Sequence, residues 1–519
     1  MVISSEEGNF LRGPSTSHDL PPPRLPSSYI PDSTFTLSKA KQYQQQYGDM
    51  YFLRLTTLKK SVEAIASAAW DGFQIAGETV RKVERVLDVR QGELCWVAGT
   101  IYMEMPLKPN ILEDISKDHW ISAPPPRRKY RSPDGEDLIM LEDESGRLRL
   151  TGGVLNKEML VTGCIVAVMG TENADGEFEV VGIEVPDLPP QDARWGEEGK
   201  PDTQKDEEEM EIDDAQPRKK IAIVSGLSFS GTISDHSLEK SLLTEYLLGE
   251  TSSSAHEITR LIIAGNSIAL DQDVLPPLDT SAATTSAARK TQKKYGYDAS
   301  AYNPAPTAHF DSFLAELLPS IPITLLPGET DPANASFPQQ PIHPAMFPQS
   351  RAYVTGPRPG EATSPSSPEP SWFSPATNPH SCLLDGWTTL ITSGQNVSDV
   401  YKYITSEDRL EIMEALCRWR CIAPTAPDTL WSYPFQDDDP FVMHKCPHIF
   451  IVGNQPEFDT AVIEGPEGQS VRLVAVPGFA ETGELVLMDV ETRECERVRI
   501  RVEGGGGVEG GGGEDEGMA

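Results

Sequence analysis

The segment HIFIVGNQPEF, residues 448–458, has the pattern of a buried strand that ends in a polar loop. Its apolar residues stop at Gly453-Asn454, a pair that favours a turn. In an α/β sheet such a stop brings polar side chains to the carboxyl edge, where active sites lie. This loop, however, offers only Asn454, Gln455 and Glu457, with Pro456 among them. The segment therefore predicts a sheet edge and leaves open whether that edge is catalytic.

Four further apolar runs between residues 218 and 500 end in a similar way. These runs are 220–225, 261–264, 321–326 and 387–392, and the loops at their ends read SGLSFSG, GNSIA, PGETDP and SGQNVSD. Helical patterns cover 237–248, 308–318 and 407–420, and the last has an apolar stripe typical of core, formed by Leu410, Met413, Leu416 and Cys417. After residue 453 the pattern turns to strands. Continuous apolar strands separated by helices predict a sheet covered on both faces.

Residues 86–185 have a different, all-β pattern. Five short strands are predicted, at 94–103, 137–143, 147–151, 164–170 and 177–184. Five strands joined by Gly- and Pro-containing turns suit a small barrel, and the OB-fold is the five-stranded candidate. Such a barrel binds either single strands or proteins. The range has 18 acidic and 10 basic residues, a net charge of −8, which favours protein binding. The basic cluster PPPRRKYR, residues 124–131, is the local exception.

Composition shifts divide the chain into predicted segments. They are a disordered N-terminus over 1–35, a helical region over 36–85, the OB-fold over 86–187, an acidic linker over 188–217, a layered α/β domain over 218–501 with a disordered insertion at 355–371, and a Gly-rich acidic tail over 502–519. Within 191–217 alone there are 11 acidic and 3 basic residues. The prediction is therefore a multidomain α+β and α/β protein.

The overall composition limits the classes of partner. The 519 residues carry a net charge of −35, which repels phosphate backbones and argues against direct, tight nucleic-acid binding. No apolar run approaches the ~18 residues that a membrane span needs, and the first residues lack a signal-peptide pattern. The seven cysteines form no C-x-x-C pair, so reduced buried thiols are expected, with a zinc site as the alternative.

The glycine-containing strand ends resemble those of calcineurin-like metallophosphoesterases. That superfamily carries D-x-H, G-D-x-x-D, G-N-H-D/E and G-H-x-H motifs, whose carboxylates and imidazoles hold two divalent cations about 4 Å apart. Here the glycines remain, but the positions of expected ligands hold other residues: Ser225 and Leu227, Asn266 and Ala269, then Asn454 and Pro456. At the third motif, Gly328 is followed by Glu329, Thr330 and Asp331.

What is left of the motifs cannot hold two hard cations. Leucine, alanine and proline offer no donor side chain. Glu329 and Asp331 are sufficient for one weakly held cation at most, and a turn-forming role for the segment ETDP is the preferred interpretation. We therefore expect no catalytic, cofactor-binding or metal-binding residues.

Longer blocks resemble the small subunit, or B-subunit, of eukaryotic DNA polymerase delta. The blocks are LLPGETDPANASFPQQPIHPAMFP (325–347), TSGQNVSDVYKY (392–403), IAPTAPDTLWSYPF (422–435), MPLKPNILEDIS (105–116) and LEDESGRLRLTGG (141–153). The likeness extends over most of 38–500. Members of that family combine an OB-fold with an inactivated phosphoesterase-like domain, which agrees with the interpretation of both halves.

This resemblance implies a non-catalytic scaffold in DNA replication and repair, located in the nucleus. It implies binding to the C-terminal metal-binding domain of the polymerase delta catalytic subunit and docking of a third subunit that carries a sliding-clamp motif, with DNA reached only through the complex. The alternatives are an active metal-dependent phosphodiesterase or nuclease, a single-strand-binding module, and the B-subunit of polymerase alpha or epsilon.

Overall fold

The computed structural model describes most of the two predicted folded regions. The described residues are 24–38, 45–75, 77–109, 127–133, 135–194, 218–231, 237–250, 253–269, 303–354 and 371–501. Four predicted segments fall wholly or mainly outside these ranges, namely 1–23 of the N-terminus, 195–217 of the linker, 355–370 of the insertion and the tail over 502–519.

Among the described residues, strands outnumber helices. In chain order they are β1 (Tyr29–Pro31), β2 (Gln74–Ile75), β3 (Glu78–Thr79), β4 (Arg81–Lys82), β5 (Cys95–Glu104), β6 (Leu138–Glu142), β7 (Arg147–Thr151), β8 (Ile165–Glu172), β9 (Glu177–Glu184), β10 (Lys220–Val224), β11 (Ile258–Ala264), β12 (Ile323–Leu326), β13 (Phe373–Pro375), β14 (His380–Leu384), β15 (Trp387–Thr392), β16 (Ile449–Gln455), β17 (Asp459–Glu464), β18 (Ser470–Pro477), β19 (Glu484–Asp489) and β20 (Cys495–Arg499). The α-helices are α1 (Tyr47–Trp70), α2 (Ser237–Leu248), α3 (Ala305–Leu317), α4 (Gln395–Tyr403), α5 (Arg409–Arg418) and α6 (Phe479–Thr482).

Sheet A contains the five strands predicted between residues 86 and 185. Its order is β4-β5-β6-β7-β9-β8, and β8 pairs with β5 as well as with β9. Alternate residues of β5 face opposite sides, so Val97 and Ile101 lie in one apolar cluster while Trp96 and Ala98 lie in another. The short strand β4 extends the sheet beyond the predicted set.

Helix α1 forms one unit with sheet A. Its buried residues recur every three or four positions, as expected for a helix that packs along one face: Met50, Arg54, Leu55, Leu58, Val62, Ala66 and Trp70. Trp70 meets Trp96 edge-on, with ring centroids 6.0 Å apart. The predicted boundary between a helical region and the strands at residue 86 therefore divides groups that pack together.

The second half of the chain contains two six-stranded sheets. Sheet B has the order β13-β12-β11-β10-β19-β20, and sheet C has the order β1-β14-β15-β16-β18-β17. Strands β10 to β13 are parallel to one another, as are β15, β16 and β18. The strands β19, β14 and β17 pair antiparallel with β10, β15 and β18, respectively. The two sheets share an apolar interior that includes Ile223 and Ile262 from sheet B and Ile451 and Val474 from sheet C.

The outer faces of this pair of sheets are covered by helices. Residues of α2 and α3, including Leu243 and Phe310, pack on sheet B. Residues of α4 and α5, including Val400 and Met413, pack on sheet C. The sequence pattern predicted one sheet covered on both faces, whereas the strands divide between two. The pattern does not separate the cases, because a strand is equally buried whether a helix or another sheet covers it.

The linker and N-terminal predictions need correction at their ends. Residues 188–194 belong to the folded part, because Leu188 is buried and the Gln191 side-chain amide donates to the carbonyl oxygens of Pro447 and Ser470 at 3.0 and 2.9 Å. Residues 24–35, expected to be disordered, include strand β1, which pairs antiparallel with β14. Buried Tyr29 supplies the apolar surface that orders this short strand.

Candidate functional site

The loops at the carboxyl ends of the parallel strands of sheets B and C meet at one edge. Ser225 and Gly265 follow β10 and β11, while Ser393 follows β15. Gly453 and Asn454 lie near the C-terminal end of β16. The sequence therefore correctly predicted that these strand ends converge, although the strands belong to two sheets.

Glycines hold these loops in close backbone contact. A Cβ atom at Gly265 would lie 2.4 Å from Cβ of Ser393, and one at Gly453 would lie 2.4 Å from the carbonyl oxygen of Ala264. Gly265 and Gly394 also have φ of 82° and 100°, which glycine adopts without strain. These glycines thus allow the loops to pack directly on each other.

Asn454 ties three of the loops together, at a position where the resemblance to metallophosphoesterases predicted a histidine. Its backbone N–H donates to Oγ of Ser225 at 2.8 Å. Its Nδ2 donates to the carbonyl oxygens of Ala264 and Ser393 at 3.1 and 2.8 Å. Both of its donor groups are therefore used in structural bonds.

A network of neutral side chains lies beside Asn454. Nδ2 of Asn378 lies 2.9 Å from Oε1 of Gln339 and 2.5 Å from Oγ of Ser393. Nε2 of Gln395 donates to the same Gln339 oxygen at 2.9 Å, and Nε2 of Gln339 donates to the carbonyl oxygen of Gly328. Hydrogen bonds between amides and hydroxyls thus fill a place where charged ligands would be needed for catalysis.

The other expected ligand positions are equally unsuited to metal binding. Leu227 is buried in the apolar cluster under sheet B, and Pro456 is exposed. Asn266 accepts a hydrogen bond from the Thr330 backbone N–H at 3.3 Å. In the described ranges there is no group of three or more histidine, cysteine, aspartate or glutamate residues that could hold a metal ion.

Glu329 and Asp331 lie in different environments. Glu329 is exposed, whereas Asp331 is buried and accepts hydrogen bonds from the backbone N–H groups of Gly328 and Ile268 at 2.7 and 2.9 Å. Burial raises the pKa of Asp331 to about 6, although these N–H groups oppose the rise. The contacts favour the interpretation that this segment forms a turn.

All seven cysteines are free thiols, and six of them are buried. Burial raises the pKa of Cys382 to about 12, so this thiol stays protonated near neutral pH. The burial of these six agrees with the expectation of buried thiols.

A second polar site joins sheet A to sheet C. Arg54 of α1 is buried, and its Nε lies 2.8 Å from Oδ2 of Asp439. Its Nη1 donates to the carbonyl oxygens of Pro424 and Ala426 at 2.8 and 2.9 Å. Although burial opposes the charge on Arg54, the carboxylate of Asp439 raises the pKa of the guanidinium. One apolar cluster also includes residues of both sheets, so the two halves are packed together.

The described part of the basic cluster, from Arg127 onward, contacts the α4–α5 segment. Nζ of Lys129 donates to the carbonyl oxygens of Ile404 and Ser406 at 2.9 and 3.1 Å, and it lies 3.3 Å from the ring centroid of Tyr401. Arg128 pairs with Glu407 at 3.3 Å. The side chains of Arg128 and Lys129 are therefore engaged in contacts within the molecule.

Sequence reasoning missed the parts of both sites that depend on distant pairs. It gave no role to Gln339, Asn378 or Gln395, although amide side chains recur near the strand ends. It also missed Arg54 and Asp439, for which the sequence carries no local signal.

Two family profiles match this chain. The profile described as "DNA polymerase delta subunit OB-fold domain" matches residues 46–183, and the profile for the B-subunits of DNA polymerases alpha and epsilon matches residues 221–460. The first range includes α1, in agreement with its packing on sheet A.

Curated relatives match nearly the whole chain. The "DNA polymerase delta small subunit" of Saccharomyces cerevisiae is 34% identical, over 89% of this chain and 91% of the yeast protein. The protein of the same name from Oryza sativa is 33% identical, over 89% and 95%. The "DNA polymerase delta subunit 2" of Drosophila melanogaster is 32% identical, over 92% and 99%.

Proposed function

Because this chain belongs to the family of DNA polymerase delta small subunits, we propose that it is a non-catalytic scaffold subunit of the polymerase delta complex and acts in DNA replication. The observation that carries the non-catalytic role is the closed strand-end site. Three loops are tied together by Asn454 and by glycines packed against backbone, which leaves the geometry of a phosphoesterase edge without its ligands. A rigid, two-sheet body is suited to presenting binding surfaces.

We assign the second half to a phosphoesterase-like domain that has lost its activity. Two face-to-face sheets with helices on both outer faces, and glycines at the strand ends, support this assignment. We also assign sheet A to a five-stranded OB-fold barrel, and the pairing of β8 with both β5 and β9 supports this assignment. The proposed units are therefore α1 with sheet A, and residues 218–501.

The proposed partners follow from the family. They are the C-terminal metal-binding domain of the polymerase delta catalytic subunit and a third subunit that binds the sliding clamp, with DNA reached through the complex and a nuclear location. The net charge of −35 and the internal use of Lys129 support an indirect relation to DNA. Among the described helices, none combines the length and hydrophobicity that a membrane span requires.

The absence of catalysis is tested by hydrolysis of a simple phosphodiester and of single-stranded DNA in the presence of Mn²⁺. The purified chain and its Asp331→Ala variant should show the same background rate. Turnover that is lost in the variant would establish an active phosphodiesterase and refute the scaffold role as stated.

The partner is tested by co-purification with the C-terminal domain of the delta catalytic subunit from the same organism. A stoichiometric complex that survives gel filtration is expected, and it should persist when Glu329 and Asp331 are both changed to alanine. A complex formed instead with the alpha or epsilon catalytic subunit would keep the scaffold role and overturn the assignment to delta.

A further inference from the structure

Two large aromatic side chains are exposed near the start of α1. Trp431 exposes 63% of its surface and Tyr47 exposes 50%. Exposed tryptophan and tyrosine are enriched among the residues that dominate the binding energy of protein interfaces. They are neighbours here, because Oη of Tyr47 donates to the carbonyl oxygen of Ser432 at 3.1 Å.

The backbone around Trp431 is held in place. The Phe337 N–H donates to the carbonyl oxygen of Trp431 at 2.7 Å, and the Tyr433 N–H donates to the carbonyl oxygen of Phe337 at 2.8 Å. Ser432, between them, is 2% exposed. An aromatic side chain that projects from a fixed backbone loses little entropy on binding, which is a property of interface anchors.

Acidic residues lie on the same segment of the chain as Trp431. The segment that begins at Trp431 runs along α1, since Ser432 contacts Tyr47 and Asp439 contacts Arg54. Between those two contacts, Asp437 and Asp438 are exposed. The nearby cation Lys108 is already paired with Asp428 at 2.7 Å. We call Tyr47, Trp431, Asp437 and Asp438 the aromatic–acidic surface.

We propose that the aromatic–acidic surface docks an element of the polymerase catalytic subunit that presents an apolar side chain flanked by lysine or arginine. This inference rests on the proposed function and names the surface through which it is carried out. The apolar side chain packs on Trp431 and Tyr47, and the flanking cations face Asp437 and Asp438. Nucleic acid does not fit, because the carboxylates repel phosphate. A second copy of this chain fits poorly, because each copy carries a net charge of −35.

The test compares full-length variants for binding to the catalytic subunit, measured by surface plasmon resonance at several salt concentrations. Trp431→Ala should weaken the complex by about tenfold or more, mainly through faster dissociation. The double variant Asp437→Asn, Asp438→Asn should slow association and flatten its salt dependence. Leu87→Ala, at a residue that is 70% exposed on the segment before β5, is the matched control and should bind as the parent does.

The outcomes separate this inference from the proposed function. If the parent protein does not bind the catalytic subunit, the proposed function fails. If the parent binds and Trp431→Ala binds equally well with an unchanged melting temperature, the aromatic–acidic surface is not the docking site. A change in oligomeric state on sedimentation, with unchanged affinity for the catalytic subunit, would assign the surface to self-association and overturn the proposal.

Discussion

The contact of Arg54 with Asp439, which we call the joint, connects sheet A to sheet C. The joint and the strand-end site are both buried and polar, but the groups that form them differ. The strand-end site is filled by neutral amides, with Asn454 and Asn378 at its centre. The joint contains a full ion pair, Arg54 with Asp439, whose side chains are 5% and 2% exposed. Each partner of that pair comes from a different half of the chain.

The difference indicates where the fold tolerates buried charge. A buried ion pair costs desolvation and is retained only with good geometry and further hydrogen bonds, which the carbonyl oxygens of Pro424 and Ala426 provide. At the strand-end site most of the hydrogen bonds join neutral amides, hydroxyls and backbone groups, and Asp331 is a buried carboxyl beside them. The buried ion pair therefore joins the two halves of the chain, whereas hydrogen bonds between mainly neutral groups hold the strand-end site.

The largest expected effect comes from breaking the joint. Arg54→Met leaves Asp439 buried without its cation, so the free energy of unfolding should fall by about 3–5 kcal/mol. The second change Asp439→Asn removes the unpaired charge and keeps an acceptor for the Phe441 N–H, so it should recover part of the loss. Urea denaturation measures both.

Arg81→Met is the matched control for the joint. Arg81 pairs with Glu93 at 2.8 Å, but these side chains are 52% and 44% exposed, so the loss should be below about 1 kcal/mol. Equal effects at Arg54 and Arg81 would show that the joint does not depend on its buried pair.

Protonation of a buried histidine should also destabilise the fold. Nε2 of His380 lies 2.8 Å from Oη of Tyr29, and burial lowers the pKa of this histidine to about 4. Between pH 6.5 and 4 the unfolded chain binds the proton more readily than the folded chain. Stability should therefore fall as the pH drops through this window, by roughly 3 kcal/mol.

Melting temperatures at pH 7 and pH 4.5 measure this contribution. His380→Gln should reduce the difference between the two, whereas the exposed-site control His343→Gln should not. If all three proteins lose stability equally, His380 is not responsible for the acid sensitivity.

Local sequence patterns predicted most helices and strands. They did not predict contacts between residues that are distant in the sequence. The strands of sheet A and helix α2 were predicted closely because side-chain periodicity and glycine punctuation are local signals. The division of the remaining strands into sheets B and C was not predicted, because a strand has the same apolar pattern whether a helix or another sheet covers it. The 385 positions between Arg54 and Asp439 explain why the joint was missed. The predicted linker began too early because residues 188–194 show no periodic pattern, whereas Leu188 is buried and Gln191 makes tertiary hydrogen bonds.

The packing of the strand-end site predicts a moderate effect. A Cβ added by Gly453→Ala would meet the Ala264 carbonyl oxygen at 2.4 Å and Cβ of Ser225 at 3.0 Å, so the two sheets must separate slightly. Overpacking of this kind should cost about 1–3 kcal/mol. Gly48→Ala in α1, where a Cβ meets nothing within 4 Å, is the control and should be neutral or slightly stabilising. Equal melting curves for the two variants would show that the site is not tightly closed.

The smallest expected effect concerns the basic cluster. Like the joint, this cluster uses its charge in contacts within the molecule and not in binding a ligand. Lys129→Gln removes two hydrogen bonds to carbonyl oxygens of the α4–α5 segment and the contact with Tyr401, so the free energy of unfolding should fall by about 1 kcal/mol. Affinity of the full-length chain for single-stranded DNA, measured by fluorescence anisotropy at physiological salt, should stay weak and unchanged, because Lys129 is already used and the surrounding charge is negative. Lys157→Gln, at an exposed position, controls for the loss of one positive charge. Submicromolar binding that is lost in Lys129→Gln but kept in Lys157→Gln would assign the cluster to nucleic acid, and the use of charge in this protein would then extend beyond holding its two halves together.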